Sequence, residues 1–286
     1  MDYIEIIKSI IFDIVEGITE WLPISSTGHM ILLDEFLKLN MSKDFKEMFE
    51  VVIQLGAILA VVVLFWNNLF PFTFKKGFAV KKDIMSMWGK ILIACVPVII
   101  IGFPLDHVFS KLFHYDDPNN PTRAIIVSIA LIVFGIIFIV IENKNKNSKP
   151  RINSISSINY RVALFIGVFQ LIAAVFPGTS RSGATIIGAL LIGVSRTVAA
   201  EFTFFLAVPV MFGASALKLV KFGFNFTPLE LAVLFTGLVT AFIVSIIAIK
   251  FLMGYIKKHD FKVFGWYRII LGVIVITYFA IQSFRQ

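Results

Sequence analysis

The sequence is poor in charge and in cysteine. Only 15% of its 286 residues are charged, and Cys95 is the single cysteine. One cysteine excludes an intrachain disulfide, and its place inside a hydrophobic run reads as a small buried hydrophobe. Scarce charge excludes an ordinary soluble domain, in which roughly a quarter of residues are charged. It also removes the surface on which a nucleic-acid-binding patch would sit, despite a net charge of +8. That excess reads as loop lysines that set membrane orientation and meet anionic lipid headgroups, so no nucleic-acid partner is expected. The opening MDYIEIIKSI carries acids and no basic region ahead of a cleavage site, so no removable signal peptide is expected.

What is present is mostly apolar: 58% of residues are hydrophobic, and 31 are Phe. Residues 124–141 and 231–249 contain no charge. Each is long enough, or nearly so, to cross about 30 Å of hydrocarbon as a helix. The uncharged runs 51–66, 91–105, 202–217 and 269–284 reach a full span once flanking residues such as Lys218 snorkel to the interface. There is no β-barrel alternation, so the expected fold class is an all-α polytopic membrane protein with six transmembrane helices. Basic residues gather in three loops: Lys75, Lys76, Lys81 and Lys82; Lys144, Lys146, Lys149 and Arg151; and Lys257, Lys258 and Lys262. If the spans alternate, these loops share one face. The positive-inside rule makes that face cytoplasmic and places both termini outside.

Two regions break the pattern. In residues 1–40, Asp13, Glu16 and Glu20 interrupt the hydrophobic run; in residues 161–196, PGTSRSGAT divides two apolar halves too short to cross. Half-helices joined by a polar turn are the pattern of a re-entrant hairpin, tolerated at membrane depth only when buried or lining a watery cavity. Shifted by 154 positions, Glu16 meets Gln170, Pro23 meets Pro177, Ser25 meets Thr179 and Ser26 meets Ser180. Each hairpin precedes three spans. An odd number means that the second copy enters from the opposite face. The expected organisation is therefore one membrane domain, residues 1–286, built as an inverted repeat. Its copies run over about 1–142, with hairpin 1–40, and about 160–286, with hairpin 161–196.

The hairpins hold the chemistry. On a helix, Asp13, Glu16 and Glu20 share one face, which must look at a cavity, a cation or a basic partner because lipid penalises each charge. Asp13 also admits a plainer reading, as part of a solvated interfacial face. Glu16 and Glu20 are spaced to hold one divalent cation, and hard carboxylate oxygens suit Mg²⁺ or Ca²⁺. In EGITEWLPISSTGHM, Ser25, Ser26 and Thr27 leave backbone N–H groups free for an anion, or else cap the following half-helix. One serine could act as a nucleophile given a base within reach, and His29 is the nearest general acid or base. In PGTSRSGAT, Arg181 stands between Ser180 and Ser182, with Thr185 a turn later. Its planar fork suits phosphate oxygens, or else a salt bridge to Glu16 or Glu20. Gln54 and Gln170 either line the same cavity or bond between helices. Carboxylates, metal, hydroxyls and Arg together describe phosphoryl chemistry on an anion with a lipid tail.

These two stretches resemble the paired motifs of the bacitracin-resistance type of undecaprenyl-pyrophosphate phosphatase: E-x-x-x-E with its SSTGH extension, and P-G-x-S-R-S-x-x-T. Both are complete, and the resemblance covers essentially the whole chain. It implies a bacterial plasma-membrane enzyme that hydrolyses undecaprenyl pyrophosphate to undecaprenyl phosphate and inorganic phosphate. That reaction recycles the carrier for peptidoglycan and confers bacitracin resistance, from a site open to the outer face. Carried over, Glu16 and Glu20 would be metal and catalytic carboxylates. Ser26 would be the nucleophile, with Ser25 and Thr27 shaping the pocket and His29 moving the proton, although His29 could itself take the phosphoryl group. Arg181 would clamp the pyrophosphate with Ser180, Ser182 and Thr185. The partners would be a polyprenyl pyrophosphate lipid and membrane lipids, with a homodimer as one possible assembly. The competing reading is a secondary transporter or lipid flippase, since inverted repeats with broken helices also build transporters.

Overall fold

Helix starts are written locally. The Ser42 hydroxyl accepts from the Phe45 N–H, and the Asn159 side chain accepts from the Val162 N–H. Thr227 and Glu230 close a reciprocal capping box with Pro228 in the first turn. Beyond these caps the apolar runs satisfy their backbone internally, which lipid requires. The computed structural model describes residues 3–73, 78–113 and 121–285. Lys75 and Lys76 of the first basic loop lie outside the described residues.

Helices α1 (Tyr3–Thr19) and α2 (Ser26–Phe36) form a first hairpin. Helices α3 (Lys43–Val52) and α4 (Gln54–Leu64) follow, separated by Ile53, then a short α5 (Trp66–Leu69) and the paired strands β1 (Phe72–Thr73) and β2 (Ala79–Val80). Helix α6 (Lys82–Pro97) runs through a π turn, Val98–Gly102, into α7 (Phe103–Phe113), and α8 (Pro121–Asn145) completes the first half. A second hairpin, α9 (Tyr160–Val175) and α10 (Arg181–Leu191), precedes α11 (Arg196–Phe222), α12 (Pro228–Tyr255) and α13 (Lys262–Arg285).

Among the described residues, six helical stretches are long and apolar enough to cross a membrane: Lys43–Leu64, Lys82–Gly102, Thr122–Asn145, Arg196–Phe222, Pro228–Tyr255 and Lys262–Gln282. They correspond to the six expected spans. The first begins at Lys43 rather than at residue 51. There, Phe45, Met48 and Phe49 bury one face while Lys43, Asp44 and Glu47 stay exposed on the other. A scan for uncharged runs misses such an amphipathic start. The helices of both hairpins are shorter than these spans.

Packing crosses between the halves. Helix α1 lies against α12 and α9 against α6, while α8 packs along α13 and α4 along α12. Contacts of this kind need small residues, because lipid supplies no hydrophobic drive between helices. A Cβ on Gly56 would fall 2.2 Å from the Leu238 carbonyl oxygen, and one on Gly167 would fall 2.3 Å from that of Ala94. At the end carrying the second and third basic loops, the buried Glu142 gathers three elements. Its carboxylate accepts from Arg196 Nε at 2.9 Å and from the Phe261 N–H at 3.0 Å.

Candidate active site

The last helical bond of the first acidic segment sets the site. Helix α1 ends at Thr19, and the Glu20 N–H still reaches the Glu16 carbonyl at 2.9 Å. Residues 20–24 then turn around Trp21, which is fully buried edge-on to Phe204. The three acids therefore do not share one environment. Asp13 is wholly buried beside Gly237 of α12, with neither carboxylate oxygen partnered, so it is not on a solvated face. Glu16 is buried and accepts from Gln54 Nε2 at 3.4 Å. Glu20, past the helix end, points at the second hairpin.

There Glu20 is held from two sides. Arg181 Nη2 donates to Glu20 Oε1 at 3.1 Å, and Ser26 Oγ donates to Glu20 Oε2 at 3.0 Å. The Ser182 hydroxyl also donates to the Glu20 backbone carbonyl at 3.2 Å. The two tips thus meet through a carboxylate, a guanidinium and two hydroxyls drawn from both hairpins. Arg181 is steadied by the Thr203 carbonyl of α11, 3.3 Å from Nη1. Thr185 has a bracing part: it donates to the Arg181 carbonyl at 2.9 Å and accepts from the Thr203 hydroxyl at 2.9 Å. Ser180 caps α10 by accepting from the Gly183 N–H at 3.1 Å.

His29 does not meet Ser26. One ring nitrogen is 2.7 Å from the Ser25 carbonyl and the other 2.7 Å from the Tyr267 hydroxyl, whose ring stacks on the imidazole. The expected Ser26–His29 pairing is replaced by Ser26–Glu20: the two residues are three apart on α2, but each side chain bonds elsewhere, Ser26 to Glu20 and His29 to the Ser25 carbonyl and Tyr267. Ser25 is buried, and its hydroxyl has no partner. A cavity of about 140 Å³ lies next to this turn, lined by Glu16, Ser26, Thr27 and Gln54 together with Phe12, Met30, Leu39 and Phe49. Gln170 is buried elsewhere, with its amide unpartnered.

Arg268 of α13 escapes a reading of the two motifs. It is completely buried, and its guanidinium donates to the Pro23 carbonyl (3.3 Å), the Gly178 carbonyl (3.1 Å) and the Thr179 carbonyl (2.7 Å). It ties one tip to the other. The available signal was a lone arginine at the edge of an apolar run, which lipid would penalise unless it served something inside.

A carboxylate bonded to a hydroxyl and a guanidinium where two short helical hairpins meet, among six spans, marks a polytopic membrane protein with a polar site in its interior. The chain belongs to the family described as bacitracin resistance protein BacA, whose profile matches residues 9–274. It is 66% identical to the undecaprenyl-diphosphatase of Desulfitobacterium hafniense over 283 residues, 99% of each chain. It is 65% identical to undecaprenyl-diphosphatase 1 of Clostridium acetobutylicum over 281 residues, 98% of this chain and 100% of that one. Likeness to an Enterococcus faecalis undecaprenyl-diphosphatase is 60% over 283 residues, 98% and 99% of the two chains. None of these three is named as a transporter.

Proposed function

We infer that this chain is an undecaprenyl-diphosphatase: it hydrolyses a polyprenyl diphosphate to the monophosphate and inorganic phosphate within the bilayer. Near-full-length identity to the named diphosphatases supports the reaction. The observation that carries the assignment of residues is Ser26. It faces the cavity and at the same time donates to Glu20, whose other oxygen holds Arg181.

Nucleophile, base and electrophilic clamp are then in contact before substrate arrives. The diphosphate draws the Arg181 fork from Glu20 to its own oxygens, a charge-assisted exchange that frees the carboxylate. Ser26 Oγ attacks the terminal phosphorus as its proton passes to Glu20. The bond from phosphorus to the bridging oxygen breaks, and the polyprenyl phosphate leaves with that oxygen. Water then attacks the phosphorus of the phosphoserine and the bond to Ser26 Oγ breaks; Oγ takes back the proton held by Glu20, and inorganic phosphate leaves with the oxygen and both protons of the water. His29, held by Tyr267 and the Ser25 carbonyl, orients the turn that carries Ser25 and Ser26. All these groups come from one chain, so catalysis asks for no second copy.

A divalent cation, Mg²⁺ or Ca²⁺, would be held by Glu16 and Glu20 and would supply charge neutralisation of the diphosphate. Among the described residues no group of three or more His, Cys, Asp and Glu side chains could hold a metal ion. Two carboxylates fit a cation that shares its coordination with substrate phosphates, as Mg²⁺ commonly does, rather than a closed protein cage.

The hairpins are re-entrant and belong to an inverted repeat. The basic loops lie on the cytoplasmic side of the bacterial plasma membrane, and the cavity opens to the outer side. There the enzyme recycles the lipid carrier for peptidoglycan synthesis and withdraws the diphosphate form that bacitracin captures. The test is phosphate release from undecaprenyl diphosphate by the purified chain in detergent across a Mg²⁺ and Ca²⁺ titration. Release that depends on the cation is expected; an untouched substrate at every cation concentration overturns the reading.

A further inference from the structure

The cavity that exposes Ser26 does not contain the arginine expected to grip phosphate. Arg181 is not among its lining residues, being engaged by Glu20 and the Thr203 carbonyl. The cations that do line it are Lys46 of α3 and Arg123 at the start of α8, with Asp34 and Glu50 facing the same mouth. Both cations are half-buried, and neither enters an ion pair or a side-chain hydrogen bond among the described residues. They come from separate elements, α3 and α8. Glu50 lies within electrostatic reach of both cations and of Asp34 without closing on either cation. The lining sets three carboxylates, Glu16, Asp34 and Glu50, against these two cations, so it offers little long-range attraction to an anion. What it offers is a guanidinium fork and an ammonium, unpaired among the described residues, in the same cavity as the Ser26 and Thr27 hydroxyls. Phosphate oxygens match such forks in a bidentate way, and an ammonium adds a point charge beside them.

We propose that Lys46 and Arg123 form a phosphate-binding site at the mouth of this cavity, receiving a phosphoryl group before Arg181 is released from Glu20. The inference rests on the phosphatase reading and adds to it the residues that bind the anion first. The ligand chemistry is a phosphate or diphosphate anion, and it has two sources: the headgroup of the lipid substrate, and the inorganic phosphate product on its way out.

The test uses the full chain in detergent with Lys46→Gln and Arg123→Gln combined, beside the charge-keeping pair Lys46→Arg and Arg123→Lys. For the neutral pair, KM for the polyprenyl diphosphate is expected to rise by at least about tenfold with kcat held within about twofold, as loss of two charge-assisted contacts predicts. The charge-keeping pair should fall between the parent and the neutral pair, because it keeps both charges but takes the planar fork from position 123. Inhibition by inorganic phosphate separates the sources: a raised KM with unchanged phosphate inhibition assigns the site to the lipid headgroup. Weakened inhibition with unchanged KM assigns it to the product. A fall in kcat with KM and phosphate inhibition both unchanged, or no change in KM, kcat or phosphate inhibition, overturns the proposal. Calorimetric binding of methylenediphosphonate, which is not hydrolysed, gives a readout without turnover. Equal affinity for parent and neutral pair also overturns the site, whereas a parent that binds the probe but releases no phosphate would sink the phosphatase reading alone.

Discussion

In the second hairpin the hydroxyl that begins α10 is spent on the backbone: Ser180 accepts from the Gly183 N–H. In the first hairpin the residue at the same place, Ser25, makes no side-chain cap, and its buried hydroxyl has no partner. These are the two non-glycine residues with positive φ among the described residues, 72° at Ser25 and 68° at Ser180, and each opens an 11-residue helix. The tips are alike in backbone and unlike in equipment. One leaves its buried cap hydroxyl unbonded among the described residues; the other closes its cap, carries Gln170 in place of an acid and contributes Arg181. Left-handed backbone of this kind costs about 1–3 kcal/mol per residue and persists where surroundings impose it. At the first tip the strained residue leads directly into Ser26, whose hydroxyl meets Glu20. At the second it serves the frame that aims the guanidinium.

The largest expected loss comes from removing the group both tips share. Glu20→Gln keeps shape but takes away the acceptor for the Ser26 proton and the counter-ion of Arg181. Phosphate release should fall on the order of 10³-fold, within the range for a lost general base. Turnover within a few-fold of the parent would show that Ser26 is activated some other way. Next in size is Arg181→Lys, which keeps charge and loses the planar fork. A drop of about 10²-fold in kcat/KM is expected, because the bidentate grip is absent in the transition state. Making the hairpins more alike comes third. Glu16→Gln gives the first hairpin the amide of the second, and the cation titration should shift to higher concentration with activity down about tenfold or more. The reciprocal Gln170→Glu should leave activity nearly intact while lowering thermal stability, since it buries a carboxylate without a partner.

Much of this site was legible because its residues are local and chemically loud. Acids, a proline, hydroxyls and an arginine amid apolar runs announce themselves, and the six spans follow from length and charge. The register between the hairpins was less legible. Aligned on their prolines, Ser25 faces Thr179. In the structure the helix start lies closer to Pro23 than to Pro177 by one residue, so Ser25 matches Ser180 and Gly28 matches Gly183. Backbone conformation at the helix start decides the match, and composition does not report it. Helical spacing put Asp13, Glu16 and Glu20 on one face, and the bond from the Glu20 N–H to the Glu16 carbonyl carries that register past Thr19. What spacing does not report is that each acid meets different surroundings: Asp13 lies beside Gly237, Glu16 takes Gln54, and Glu20 takes Arg181 and Ser26. Arg268 was invisible for a third reason. Its three carbonyl partners lie in both hairpins, far away in the chain, and no local pattern encodes a contact between distant loops.

The smallest expected effects separate the two serines. Ser180→Ala removes a cap, worth about 1 kcal/mol to the helix it opens, and should lower the melting temperature by a few degrees. The Arg181 guanidinium would still reach Glu20, so kcat should change little. Ser25→Ala removes no cap and leaves the same left-handed backbone to an alanine, so the melting temperature should barely move. What it removes is a hydroxyl beside Ser26 at an uncapped helix start, where backbone N–H groups favour an anion. The expected change is in KM for the diphosphate, about threefold upward if the hydroxyl adds one neutral hydrogen bond. Thermal melts of both variants beside their kinetic constants would resolve the pair. If Ser25→Ala destabilises as much as Ser180→Ala while leaving KM untouched, both serines are frame, and the open hydroxyl at the first tip has no part in binding.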